Sequence, residues 1–232
     1  MVVRLAGWAR ALVAASLLGS AAAATATADQ AQPARIVASP YSVDDYPQAS
    51  LRRGESGYAR VAVTVSPEGR PIGCSVLVST SYPDLDARSC AVMLKRGRFT
   101  PAVNEKGRAS YAIYRQTVPW FTADTAQEMR ATVGQYTVPN DIDIEVMVNK
   151  LPAGLVPPVA VIATAIISPD GKLVECTAAN GGAVPAGLAK LACDQTKALV
   201  AFKPALDSAG TAVASVQQAK VLFQTQTPAA AK

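Results

Sequence analysis

Ser66-Pro67-Glu68-Gly69-Arg70-Pro71-Ile72-Gly73-Cys74 recurs about a hundred residues later as Ser168-Pro169-Asp170-Gly171-Lys172-Leu173-Val174-Glu175-Cys176. Laying one over the other brings Cys74 onto Cys176 without a gap. One inserted residue then places Cys90 on Cys193, Phe99 and Pro101 on Phe202 and Pro204, and Gly107 on Gly210. Five landmarks in one order over some sixty residues indicate an internal duplication.

The stretch before each turn alternates. Val61, Val63 and Val65 share one parity, and Pro67 to Gly69 supply turn chemistry. Ile72, Cys74, Val76 and Val78 follow on one parity of a second run, so a β-hairpin with one buried face is expected. From Asp84 the period changes: Ala87, Cys90, Ala91 and Leu94 follow i, i+3, i+4, i+7 spacing until Gly97, a helix whose stripe lies on the hairpin. A last β-rich run, Ser110 to Phe121, completes a β-β-α-β unit. In the second copy the helix spans Leu188 to Leu199 with a less regular stripe. The expected fold class is therefore α+β, two tandem β-β-α-β units, each an antiparallel sheet with one helix packed on it.

Four cysteines allow three pairings. Cys74 has the inward parity of its strand and Cys90 lies in the inward stripe of its helix, so bridges Cys74–Cys90 and Cys176–Cys193 are expected. Closing a loop of about fifteen residues is worth roughly 3 kcal/mol in the chain-entropy model. Such fastening suits cores rich in Ala and Val, in a chain that is 50% hydrophobic but only 6% aromatic.

Arg4 and Arg10 precede a small-apolar run from Ala11 to Ala24, then Ala26-Thr27-Ala28 and the polar Asp29 and Gln30. This is the layout of a secretory signal peptide, and the run is shorter than the roughly 20 residues a spanning helix needs. The resulting boundaries are 1–28 signal peptide, 29–40 linker, 41–125 first unit, 126–226 second unit and 227–232 disordered tail. Export into an oxidising compartment follows. The formal charge of +5 falls to +3 once Arg4 and Arg10 are set aside, too small an excess to imply nucleic acid.

The sequence contains no histidine, which removes Ser-His-Asp and Cys-His catalysis and the commonest metal ligand. No GxGxxG, P-loop or nucleophile elbow occurs, and no cofactor is called for. Asp141, Asp143 and Glu145 alternate with Ile142, Ile144 and Val146, which suits either a cation site or an exposed polar strand face. Asp84 and Asp86 fall in a first helical turn, where acids complement the dipole. No catalytic or metal site is assigned.

Tyr46-Pro47, Gly57, the Val61 to Val65 strand, Ser66 to Arg70, Leu85-Asp86, Arg98-Phe99, Pro101-Ala102, Gly107 and Val118 to Phe121 together resemble the C-terminal domain of TonB-family energy transducers. The second copy, Ala160 to Phe223, keeps the Ser-Pro-Asp-Gly turn, Phe202, Pro204-Ala205, Gly210 and Val221 to Phe223, and is otherwise degenerate. The resemblance implies a periplasmic, non-catalytic module that pairs an exposed strand with a segment of an outer-membrane TonB-dependent receptor. In this chain that strand is Ser110 to Phe121, presenting Tyr111, Ile113, Tyr114, Gln116, Val118 and Trp120. The alternative is that this edge pairs with the other repeat, so that the two cap each other in a structural envelope protein with no transport role. Trp120, of opposite parity to Phe121, is expected to be exposed, and Phe99 and Phe121 to complete the core. Family members carry an anchor with a channel-facing histidine and a long Pro-rich spacer; this sequence has neither, so coupling to a proton gradient is not implied.

Overall fold

The structure, a computed structural model, describes residues 30–122, 142–179 and 184–225. In chain order its elements are β1 (Arg35–Ile36), α1 (Gln48–Arg52), β2 (Gly57–Val65), β3 (Pro71–Val78), α2 (Pro83–Arg96), β4 (Phe99–Thr100), β5 (Ala102–Val103) and β6 (Ala109–Trp120). Then come β7 (Ile144–Val148), β8 (Val159–Ile167), β9 (Leu173–Ala179), α3 (Ala186–Leu199), β10 (Ala205–Leu206), β11 (Ala212–Val213) and β12 (Ser215–Thr225). The fold is mixed α and β, with helices laid on sheet. The expected signal peptide, the 227–232 tail and the start of the second unit lie outside the described residues.

The main sheet runs β3-β2-β6-β12-β8-β9, with β5 added to β6 and β7 to β12. All pairs are antiparallel except two. β12 lies parallel to β6 over Ser215–Gln217 against Tyr111–Ile113, and parallel to β7 over Val221–Thr225 against Ile144–Val148. The β2-β3 and β8-β9 hairpins each close on the Ser-Pro-Glu/Asp-Gly turn, where the Ser66 N–H donates to the Arg70 carbonyl and the Ser168 N–H to the Lys172 carbonyl. Gly69 has φ +76°, and a Cβ there would lie 2.1 Å from the Phe99 carbonyl oxygen. No side chain fits, because the chain leaving α2 donates its Phe99 N–H to the Gly69 carbonyl at 3.0 Å. The turn and the Phe-x-Pro segment recur together because they touch.

Cross-strand partners share a face. Val61, Val63 and Val65 are completely buried, and with Ala112, Val118 and Trp120 they meet Leu85 and Met93 of α2. Val216 of β12 pairs with Ala112 and joins this same core, with Ile166 beside it. The opposite parity of the second half packs the other way: Val161, Val221 and Phe223 meet Leu188 and Ala192 of α3. α2 and α3 therefore cover opposite faces of one continuous sheet.

Three expectations need correction. The buried stripe of α2 is Leu85, Ser89, Val92 and Met93, while Ala87, Ala91 and Leu94 face solvent. The larger Leu and Met side chains gain more by burial than Ala, and Cys90 sits at the flank of this stripe, from which its sulfur still reaches Cys74. The 29–40 stretch is also more than a linker. Gln32 and Val103 exchange both backbone hydrogen bonds at 2.7 and 2.9 Å, β1 pairs with β4, and Ala31 and Ala34 are buried. Trp120 is buried and Phe121 only partly so, its ring 4.8 Å from Tyr58. Trp120 turns inward because it shares the parity of Ala112 and Val118, the face of β6 that lies on α2, where the ring edges of Tyr41 and Tyr46 enclose it.

The β6 edge and the fork at Ile113

The two pairs of cysteines are joined as disulfides, Cys74–Cys90 and Cys176–Cys193, with Cα separations of 5.6 and 5.8 Å. Each fastens a helix to the second strand of its hairpin. Inside the first core the Trp120 Nε1–H donates to Ser89 Oγ at 2.8 Å, and the Ser89 hydroxyl donates to the Leu85 carbonyl at 2.8 Å. At the corresponding places of the second half stand Ala192 and Phe223, both fully buried. The indole that needs an acceptor sits with serine, and the ring that needs none sits with alanine.

One edge of β6 is taken by β2 from Ala112 to Trp120. On its other edge β12 pairs only as far as Ile113. Ile113 is thus flanked by Thr64 and Gln217, and the outer side of Tyr111 is taken by Ser215, so neither offers its outer edge to a partner. Of the remaining residues expected to receive a partner, Tyr114 is half-buried with its ring 5.0 Å from Phe99, Gln116 is half-buried, and Val118 and Trp120 point into the core. From Arg115 to Trp120, no strand among the described residues pairs with this side. The sequence gives no warning of the partial pairing, because a three-residue parallel contact leaves no periodicity.

Beyond Ile113 the strands part like a fork, and β7 takes up the edge of β12 that β6 leaves. Asp143 holds this junction. Its backbone N–H donates to the Lys220 carbonyl at 2.9 Å, its Oδ2 accepts the Lys220 N–H at 2.8 Å, and its Oδ1 accepts from Arg60 Nη2 at 2.9 Å. Arg115 spans the gap, donating to the Gln218 carbonyl. Asp143 and Glu145, weighed above as cation ligands, have other partners: Glu145 accepts from Gln224. Among the described residues no three acidic, cysteine or histidine groups converge on a common point. Asp141 lies outside those residues.

On the far side of the core, buried Asp45 closes a capping box with Ser42 and accepts from Arg88 at 2.8 Å and from Arg96. Burial alone would raise its pKa, but the Ser42 N–H and the Arg96 guanidinium hold it below the ordinary aspartate value. Arg53 joins Asp84 at 2.9 Å across an exposed surface. Asp86 accepts the Thr80 N–H at 2.9 Å, which tethers the end of β3 to the start of α2.

Residues 42–120 match the family model described as Gram-negative bacterial TonB protein C-terminal. The matched segment runs from Ser42 through the last residue of β6. No curated protein matches the chain in sequence. Two disulfides fit an extracytoplasmic protein, and no helix among the described residues is long and apolar enough to cross a membrane.

Proposed function

We propose that this chain is a non-catalytic periplasmic protein-binding module, exported through residues 1–28, that receives an extended segment of a partner along β6. The partner class is an outer-membrane TonB-dependent receptor, and the role is in transport across that membrane. Residues 41–125 form the binding unit, and 126–226 are a degenerate second copy that sets how much of the edge is open. One observation supports this reading: within the segment matched by the TonB C-terminal model, no strand among the described residues pairs with the outer side of β6 from Arg115 to Trp120. An unpaired edge offers backbone donors and acceptors to an incoming strand. The parallel seam between β6 and β12 favours the second reading, in which the two copies cap each other and nothing binds.

Proline substitution separates the two. Successive N–H groups along β6 face opposite edges, so of Gln116 and Thr117 one N–H points to β2 and the other away from it. Proline at the inward position removes a ladder bond and unfolds the domain; at the outward position it is tolerated. The tolerated variant should keep its melting temperature and lose the receptor that wild-type protein captures from envelope extract. Capture that persists in that variant places recognition elsewhere. If both variants unfold, or wild type captures no receptor, the capping reading stands.

A further inference from the structure

The fork holds more positive charge than its described neighbours neutralise. Arg60 is only 9% exposed, and while Nη2 pairs with Asp143, its Nε–H has no acceptor. Arg115 reaches into the same gap and bonds only a carbonyl; no carboxylate among the described residues lies within ion-pair distance of it. Burial lowers the Arg115 pKa, Asp143 acts against this and Arg60 adds to it, so its cation is held in a place that disfavours charge. Thr117, cross-strand neighbour of Arg60, has a buried hydroxyl without a partner. Lys220, on the same wall, is engaged in interactions of its own. Arg60, Ile113, Arg115, Asp143, Gln218 and Lys220 line a cavity of about 150 Å³ between the strands.

Buried charges are ordinarily paired, and breaking a pair is costly. Arg60 pairs with Asp143 while Arg115 has no carboxylate of its own among the described residues, so one guanidinium charge is left over, on the sheet face that also carries the free Arg60 Nε–H and the Thr117 hydroxyl. One excess charge matches a monoanion better than a phosphate dianion. A carboxylate is acceptor-only and takes two parallel N–H donors. We infer that Arg60, Arg115 and Thr117, at the parting of β6 and β12, form a binding site for a carboxylate group, supplied by an acidic side chain of a protein partner or by a small free carboxylate.

The test follows the arginine Nε–H resonances of the full chain by ¹H–¹⁵N spectroscopy during titration with acetate, with ionic strength held constant by chloride. A saturable shift of the Arg60 Nε–H is expected. It should weaken at least about tenfold in Arg115→Lys, which keeps the charge but loses the bidentate fork. Thr117→Val removes one hydrogen bond without touching a charge and should weaken binding about fivefold. An extended peptide with one Glu that binds more tightly than acetate identifies a protein source; equal affinity identifies a small carboxylate. A response to acetate no different from that to chloride overturns the site, and so does saturation by phosphate but not acetate. The site is independent of strand addition: acetate binding by a protein that captures no receptor leaves the site standing while the proposed function fails.

Discussion

Asp45 sits within the core boundary as an anion with two arginines and a serine around it, so its charge is worth keeping. Because its folded pKa lies below the unfolded value, the unfolded chain takes up the proton first as pH falls. Its contribution is therefore present above about pH 4, the ordinary aspartate range, and is lost as pH falls through the lower folded value. Asp45→Asn should cost about 2 kcal/mol at neutral pH, since it weakens charge-assisted hydrogen bonds. Urea midpoints between pH 3 and 7 should show wild type and variant converging at the acid end; parallel curves would contradict the assignment. Ser89→Ala strands the indole N–H of Trp120 and should cost about 2 kcal/mol. Adding Trp120→Phe restores part of this by reproducing the alanine and phenylalanine of the second half. Chemical denaturation of the two singles and the double yields the coupling directly.

At the scale of elements, the sequence was legible wherever one face was buried and one solvated. The alternation of Val61, Val63 and Val65 reports the sheet face, and the position of Gly69 reports a turn under the Phe99 carbonyl. The cysteines identify which strand each helix lies on. α2 was misread by rotation, because Ser89 does not count as apolar although its hydroxyl is fully satisfied inside the core. Trp120 departs from expectation because parity has to be counted from Ala112 and Val118 inside the strand, not from Phe121, which lies just past its end and is only partly buried. Cys74→Ala with Cys90→Ala should lower stability by about 3 kcal/mol in the chain-entropy model, without loss of the hairpin. Equilibrium denaturation and far-ultraviolet circular dichroism of the double variant check both halves of that statement.

At the scale of the whole molecule, the order β3-β2-β6-β12-β8-β9 makes the two halves one sheet, and Val216 belongs to the first core although it lies on the last strand. Val216→Ala removes two methyl groups from a site 2% exposed and should cost about 2 kcal/mol, cavity included. Its effect should appear in the melting of both halves, read from Trp120 fluorescence for the first and hydrogen exchange of β8 for the second. A change confined to one half would mean that the seam does not couple them. None of this coupling was visible in the sequence, where Ser215 to Gln217 carries no apolar pattern that names β6 as its neighbour.

The seam of three residue pairs also has a mechanical grain. β6 and β12 point the same way, so tension applied between the start of one strand and the end of the other runs along both and loads all the seam bonds at once. Tension drawing the ends at Trp120 and Thr225 apart enters at the open mouth of the fork and strips the same bonds in succession, beginning at Ile113 and Gln217. Attached to handles, one molecule should yield at high force in the first geometry and at low force in the second. A load arriving from the Trp120 side would open the molecule like a hinge, exposing first the strand edges nearest Ile113.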